Sequence, residues 1–197
     1  MWATEALERV LSQTDIRTLL DVGSGRGEHA EVFRSRGFEV TTVSYEPPAD
    51  FVADFMWLEF PPEAQFDCVW ASHVLEHQTD VGMFLRKCIA LLRPNGLLAI
   101  TVPPAKHAIV GGHLTLWNQG LLVYNLVMAG LDCGEAQVSP QYDYNLSVLV
   151  RKKLRPERKL RRDAGDIEVL APYFPFPAYQ EFNGRVSVNW GRGNAAS

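Results

Sequence analysis

Residues 18–28 read Thr-Leu-Leu-Asp-Val-Gly-Ser-Gly-Arg-Gly-Glu, an apolar run holding one acid, Asp21, followed by glycines at 23, 25 and 27. Glycines at that spacing let a chain turn sharply and lie close against a ligand, with the next helix start aimed at it. The dinucleotide fingerprint is G-x-G-x-x-G, but counting from Gly23 the sixth position is Glu28. The pattern here is D-x-G-x-G-x-G, which points to a different ligand. Five histidines, His29, His73, His77, His107 and His113, are the side chains best matched to moving a proton near neutral pH. His73, Glu76 and His77 follow an apolar run, and His107 and His113 share a segment with Gly111-Gly112, a pair suited to a closing loop. His29 falls on the first helix after the glycine loop and reads as structural. Cys68, Cys88 and Cys133 share no metal-type spacing and sit in apolar contexts, so reduced, buried thiols and no cysteine metal site are expected.

The scaffold follows from periodicity. Residues 2–13 place Leu7, Val10 and Leu11 at helical spacing. Residues 18–22 make a buried strand ending at the glycines, and residues 27–36 a helix stopped by Gly37. Strands are expected at 38–43, 51–53 and 66–71, and a helix over 79–92 that Arg93-Pro94-Asn95-Gly96 ends. Residues 96–102 form a fifth strand cut off by Pro103-Pro104. A helix over 114–129 is closed by Gly130, and strands at 131–138 and 144–150 follow. Strands alternating with helices predict an α/β fold with a mostly parallel sheet covered on both faces. The last two strands are too close for a crossover and must be antiparallel. Only residues 44–50 separate the second and third strands, and Pro47 and Pro48 there predict an irregular loop.

These motifs together resemble class I methyltransferases that use S-adenosylmethionine (SAM). The loop from Asp21 to Gly27 is similar to the family's motif I. Asp54-Phe55 resembles its adenine-binding acidic-aromatic pair. Residues 66–77 (FDCVWASHVLEH) resemble its FDxVxxxxxLEH segment, and residues 91–98 (LLRPNGLL) its LLRPGGxL segment. All lie between residues 18 and 103 in the family's order. The resemblance implies a Rossmann-like, doubly wound sheet of about seven strands with an antiparallel last strand. It implies a methyltransferase domain over 1–153, with 154–197 an extension packed on it.

The resemblance also implies roles. Asp21, Gly23, Ser24, Gly25 and Gly27 would hold the methionine end of SAM, whose product is S-adenosylhomocysteine (SAH). Asp54 would accept from the adenine amine with Phe55 beside the ring, and Ala71 and Ser72 would border the sulfonium. Ser44 stands where the family usually has an acid gripping the ribose, with Glu46 as a possible substitute. The segment holding His107 and His113 overhangs the acceptor in relatives, so His113 is the first candidate base, then His107, then His77. The His73–His77 cluster resembles the E-x-x-E-H segment of ubiquinone-type O-methyltransferases, some of which use a divalent metal. His73 replaces the first acid, so no metal is expected.

Residues 112–130, 143–152 and 182–190 resemble methyltransferases of bacterial surface-polysaccharide genes. That favours a sugar or glycan hydroxyl as acceptor; Trp117-Asn118 reads equally as a stacking and bonding platform for it or, for Trp117, as core packing. A non-catalytic SAM-binding module and an N-methyltransferase of a small molecule or protein are the alternatives. The net charge of −4 hides a basic run at 151–162, with eight of the nineteen basic residues and one acid. The acidic remainder argues against nucleic acid as a partner, while the run reads first as a solvated connector and otherwise as a peripheral contact for an anionic surface. No apolar stretch is long enough to span a membrane, and acids at Glu5 and Glu8 oppose a signal peptide, so a cytoplasmic protein is expected. The tail past Lys153 carries aromatics and an Asn183-Gly184 hairpin signal. It is read as a wall of the acceptor site, a patch on the core or a homodimer contact, dispensable for holding SAM.

Overall fold

The computed structural model describes residues 2–191. Its centre is a seven-stranded sheet in the order β3-β2-β1-β4-β5-β7-β6. Strands β1 (Thr18–Val22), β2 (Glu39–Ser44), β3 (Phe51–Val52), β4 (Phe66–Ser72) and β5 (Leu92–Val102) run parallel. Strand β7 (Leu146–Arg151) inserts antiparallel beside β5, and the short β6 (Gln137–Val138) pairs antiparallel with β7. The chain builds outward from β1 to β3, then returns to β4 on the other side of β1. The carboxyl ends of β1 and β4 therefore flank the switch point where such sheets bind ligands.

Alternation along β1 assigns its residues to two layers. Leu19 packs with Leu7, Val10, Phe33 and Trp70, beneath α1 (Thr4–Leu11) and α2 (Glu28–Ser35). Leu20 and Val22 join the opposite layer with α3 (Val81–Ala90) and α4 (Gln119–Met128). The cysteines are all buried, as expected, and burial pushes their thiols well above the ordinary range. Between β2 and β3 the expected loop is held by Asp50, whose carboxylate accepts from the amide and hydroxyl of Thr42 at 2.8 Å each.

Three local readings are corrected. Arg93-Pro94-Asn95-Gly96 does not end a helix; it lies inside β5. Strands on both sides grip it: Phe66 pairs with Leu92, and the Lys152 amide bonds the Gly96 carbonyl. The turn tendency survives as an irregularity with Asn95 at φ 61°. Helix α4 starts at Gln119, five residues later than expected, because the Asn118 side chain caps it through the Leu121 amide. Residues 114–117 stay extended, held by the Glu76 and Pro104 backbones.

The tail forms no hairpin at Asn183-Gly184. Gly184 lies instead against α4, its carbonyl taking the Gly120 amide; a Cβ on Gly120 would sit 2.8 Å from the Gly184 Cα. The glycine is there for close backbone approach. A short α5 (Asp166–Leu170) and the turn after it bury Leu170, Tyr173, Phe174, Phe176 and Ala178 in the α3–α4 layer. Much of the basic run is engaged inside the fold. Arg151 bonds Asp15 at 2.8 Å, Lys153 pairs with Asp132 at 2.9 Å, Arg155 reaches the Val127 carbonyl and Arg158 the Tyr173 hydroxyl. No helix among the described residues is long and apolar enough to cross a membrane.

Candidate functional site

The glycine loop leaves β1 and is tied to β2, with the Gly23 and Ser24 amides both bonding the Val43 carbonyl at 2.8 and 3.0 Å. A Cβ at Gly23 would collide with a Val74 methyl, and Gly25 takes φ +53°, a left-handed conformation that side chains resist. Gly27 precedes α2 as its cap residue. Beside this loop lies a cleft of about 560 Å³. Gly23, Gly25, Ser44, Tyr45, Asp54, Phe55, His73 and His77 are among its lining residues.

Asp21 lies below the loop with only 2% exposure, and its Oδ2 has no hydrogen-bond partner among the described residues. Burial pushes its pKa up to about 7, against a weaker pull from the Arg34 charge. The Ser24 and Ser72 hydroxyls are also enclosed without partners. Buried polar groups are normally satisfied, so three orphans around one loop mark a place built for a polar ligand. At the other end Asp54 accepts the Met56 amide at 2.8 Å. The Phe55 ring is fixed between Phe84 and Phe60, with the Lys87 ammonium 4.9 Å from its centroid.

Sequence reading missed Tyr45. It follows Ser44 directly, is 71% exposed, and lines the cleft together with Asp54. Burial first, then the Asp54 charge, raises its pKa. Glu46, expected as a substitute for the ribose acid, does not line the cleft, whereas Ser44 does. Ala71 is buried in β4, and it and Ser72 lie just beneath His73 and Val74, which reach the cleft wall.

The turn Leu75–His77 follows β4 and carries the titratable cluster. Glu76 is fully buried and neither oxygen receives a well-formed hydrogen bond; the imidazole nitrogens facing it are His73 Nδ1 at 3.4 Å and His77 Nε2 at 3.7 Å. His73, at φ 56°, also bonds the Asn145 side-chain oxygen at 2.9 Å. Burial opposes charge on His73, but Glu76 and Asn145 outweigh it and raise its pKa. His77 Nδ1 donates to the Gly112 carbonyl at 2.7 Å, and the Glu76 carbonyl takes the Leu114 amide at 2.7 Å. Those bonds pull the 111–115 segment over the cleft and set His113 edge-on to His77, ring centroids 5.0 Å apart. Glu76, His77 and His113 bring one ligand-type atom each within 4.8 Å of one another.

The expected bases thus separate. His113 and His77 meet at the cleft mouth, while His107 is exposed and lines neither the cleft nor the groove beside it. His29 is structural, bonding the Trp2 carbonyl at 2.8 Å and facing Trp70, and burial lowers its pKa. Trp117 is 2% exposed and Asn118 caps α4, so the expected sugar platform is not available. Nor do the described residues of the tail form a wall: none of them past Lys153 lines the cleft or its neighbouring groove, and residues 192–197 lie outside the described residues.

A family model described as a methyltransferase domain matches residues 3–132. Ubiquinone biosynthesis O-methyltransferases are similar, one from Rhodopseudomonas palustris at 34% identity over 98 residues and one from Bradyrhizobium diazoefficiens at 36% over 97. Each match covers 42% of this chain and 38% of the relative. Among solved structures, the Burkholderia thailandensis 1,6-didemethyltoxoflavin-N1-methyltransferase superposes with a TM-score of 0.59, at 24% identity over 77% of both chains. The sugar N-methyltransferase KedS8 from Streptoalloteichus gives 0.60, at 19% identity over 78% of this chain and 89% of that one. These two share the fold. With the matched model covering well over half of its length, the chain belongs to the class I SAM-dependent methyltransferase family.

Proposed function

We propose that this chain binds SAM in the cleft and directs its methyl group to a hydroxyl of a small acceptor. The observation that carries the reading is the convergence on one cleft of the glycine loop above the orphaned Asp21, the Asp54–Phe55 pair and His77, with His113 packed against His77 from the adjoining groove. The residues fit the cofactor. Asp21 offers a carboxylate to its amino group, Gly23 and Gly25 leave room for its methionine end, and Ser44 and Tyr45 stand beside its ribose. Asp54 and Phe55 receive its adenine. Bound SAM supplies a methyl carbon already activated by positive sulfur, so the protein's remaining work is alignment and proton removal.

His113 is the base. His77 donates through Nδ1 to Gly112, which leaves its Nε2 facing Glu76, and this pair holds the segment that presents His113 to the acceptor. A neutral amine attacks with its own lone pair, whereas a hydroxyl gains most from a base, so the cluster favours oxygen. The R. palustris and B. diazoefficiens relatives, named as O-methyltransferases, agree with that choice. The sugar or glycan hydroxyl expected from the sequence is one acceptor class to be scored.

The test is a screen of sugars and small hydroxyl compounds with labelled SAM, in the presence of EDTA. Methylated product is expected without added metal, and His113→Ala should cost ~10²–10⁴ in turnover while SAH binding persists. Transfer that vanishes with EDTA and returns with magnesium would turn the Glu76–His77–His113 cluster into a metal site. A His113→Ala protein at full rate would remove the assigned base, and SAH binding with no product from any acceptor would favour a non-catalytic module.

A further inference from the structure

A second, smaller hollow adjoins the cleft. It is about 170 Å³ and is lined by Pro103 and Pro104 at the end of β5, by Ile109, Val110 and Leu116, and by Tyr144. Leu114 lines both hollows, and His113 of the smaller touches His77 of the larger, so the two meet where the base stands. An apolar cavity of ~150 Å³ is enough to enclose one benzene ring. The hollow therefore suits one flat ring rather than an oligosaccharide. Its aromatic wall is rigid, because Tyr144 stacks on His73 at 6.4 Å and 24°, and His73 is pinned by Asn145 and Glu76.

Three ionisable side chains line the hollow: His113 on the transfer side, Lys106, and the Tyr144 of its aromatic wall. The Lys106 ammonium lies 4.8 Å from the Tyr144 ring centroid and has no carboxylate within ion-pair distance among the described residues. Thr115, the remaining polar side chain there, already bonds backbone carbonyls of the Leu75–His77 turn. A cation without a carboxylate partner, laid against an aromatic wall, recognises a flat ring that carries an anion.

Resting on the methyl-transfer reading above, we propose that the acceptor presents its reactive hydroxyl on a single aromatic ring bearing an anionic substituent, which Lys106 pairs. The ring lies along Tyr144, the hydroxyl points to His113, and the anion points to Lys106.

The probes are a hydroxybenzoate and the matching hydroxybenzamide, which differ only in charge. The wild-type protein should favour the benzoate by ~10-fold or more in KM, about the strength of one charge-assisted bond. Lys106→Met should erase that preference, and Lys106→Arg should restore most of it. Binding of the same two probes to SAH-loaded protein is measured by calorimetry alongside. Lys106-dependent benzoate binding without any transfer would overturn the methyl-transfer reading and keep the subsite. Equal binding of both probes, a preference that survives Lys106→Met, or turnover of sugars in place of either ring would overturn the subsite itself.

Discussion

Replacing Asp21 by Asn should stabilise the unliganded protein and weaken its hold on the cofactor. The carboxyl is fully enclosed, its Oδ2 lacks a partner, and burial raises its pKa from 3.8 to about 7. Three pKa units at 1.36 kcal/mol each put the cost of charging this group in the folded state at ~4 kcal/mol. An acid with a raised folded-state pKa holds more protons folded than unfolded between about pH 4 and pH 7. Stability from this source therefore falls as pH rises through that window and stays low above it. Roughly 2–3 kcal/mol of the loss should fall between pH 5 and pH 8. Asn keeps the shape and cannot ionise. Urea unfolding of wild-type and Asp21→Asn protein at pH 5 and pH 8 should show their stability difference widening by that amount, in favour of the variant at pH 8. Saturating SAH should close the gap, because its ammonium gives the ionised carboxylate a partner, and wild-type SAH affinity should rise with pH through 7. A stability difference that is the same at both pH values, or an Asp21→Asn protein that binds SAH as well as wild type, would refute the reasoning.

Gly25→Val should fold but bind no SAH. The added Cβ meets no protein atom within 4 Å and projects from a residue that lines the cleft, while the left-handed φ costs ~1–2 kcal/mol. Calorimetry at full wild-type affinity on the folded variant would contradict this. Truncation after Lys153 should unfold the protein and not merely remove transfer, contrary to the expectation from sequence. Leu170, Tyr173, Phe174 and Phe176 are buried; at ~1.5–3 kcal/mol each they contribute about as much as the whole stability of a domain. Circular dichroism of the truncated chain tests it, and a cooperative melt near the wild-type temperature would show that the tail is an accessory.

What sequence could and could not reveal divides along the range of the forces involved. That Gly23, Gly25, Ser44, Asp54 and Phe55 would share one cleft was legible because each follows from its own strand end, where a few adjacent residues set the backbone. Asn183-Gly184 and Arg93-Pro94-Asn95-Gly96 misled for the converse reason. Their turn tendencies are worth about a kilocalorie, and pairing with β4, β7 and α4 overrides them. Trp117 suggested a stacking platform because an aromatic near a glycine segment looks the same in sequence whether it faces solvent or core. Its burial is decided by α4 starting at Gln119, which depends on Asn118 as a cap. Glu76 is the deepest case. Read locally it belongs to a leucine-glutamate-histidine turn, yet its chemistry comes from His73, His77 and His113, brought in from a strand end and from a segment 37 residues further on. A buried carboxylate faced by imidazoles from two separate elements ties the position of the 111–115 segment to the Leu75–His77 turn. On the proposed reading, substrate entry and proton removal then depend on the same few contacts.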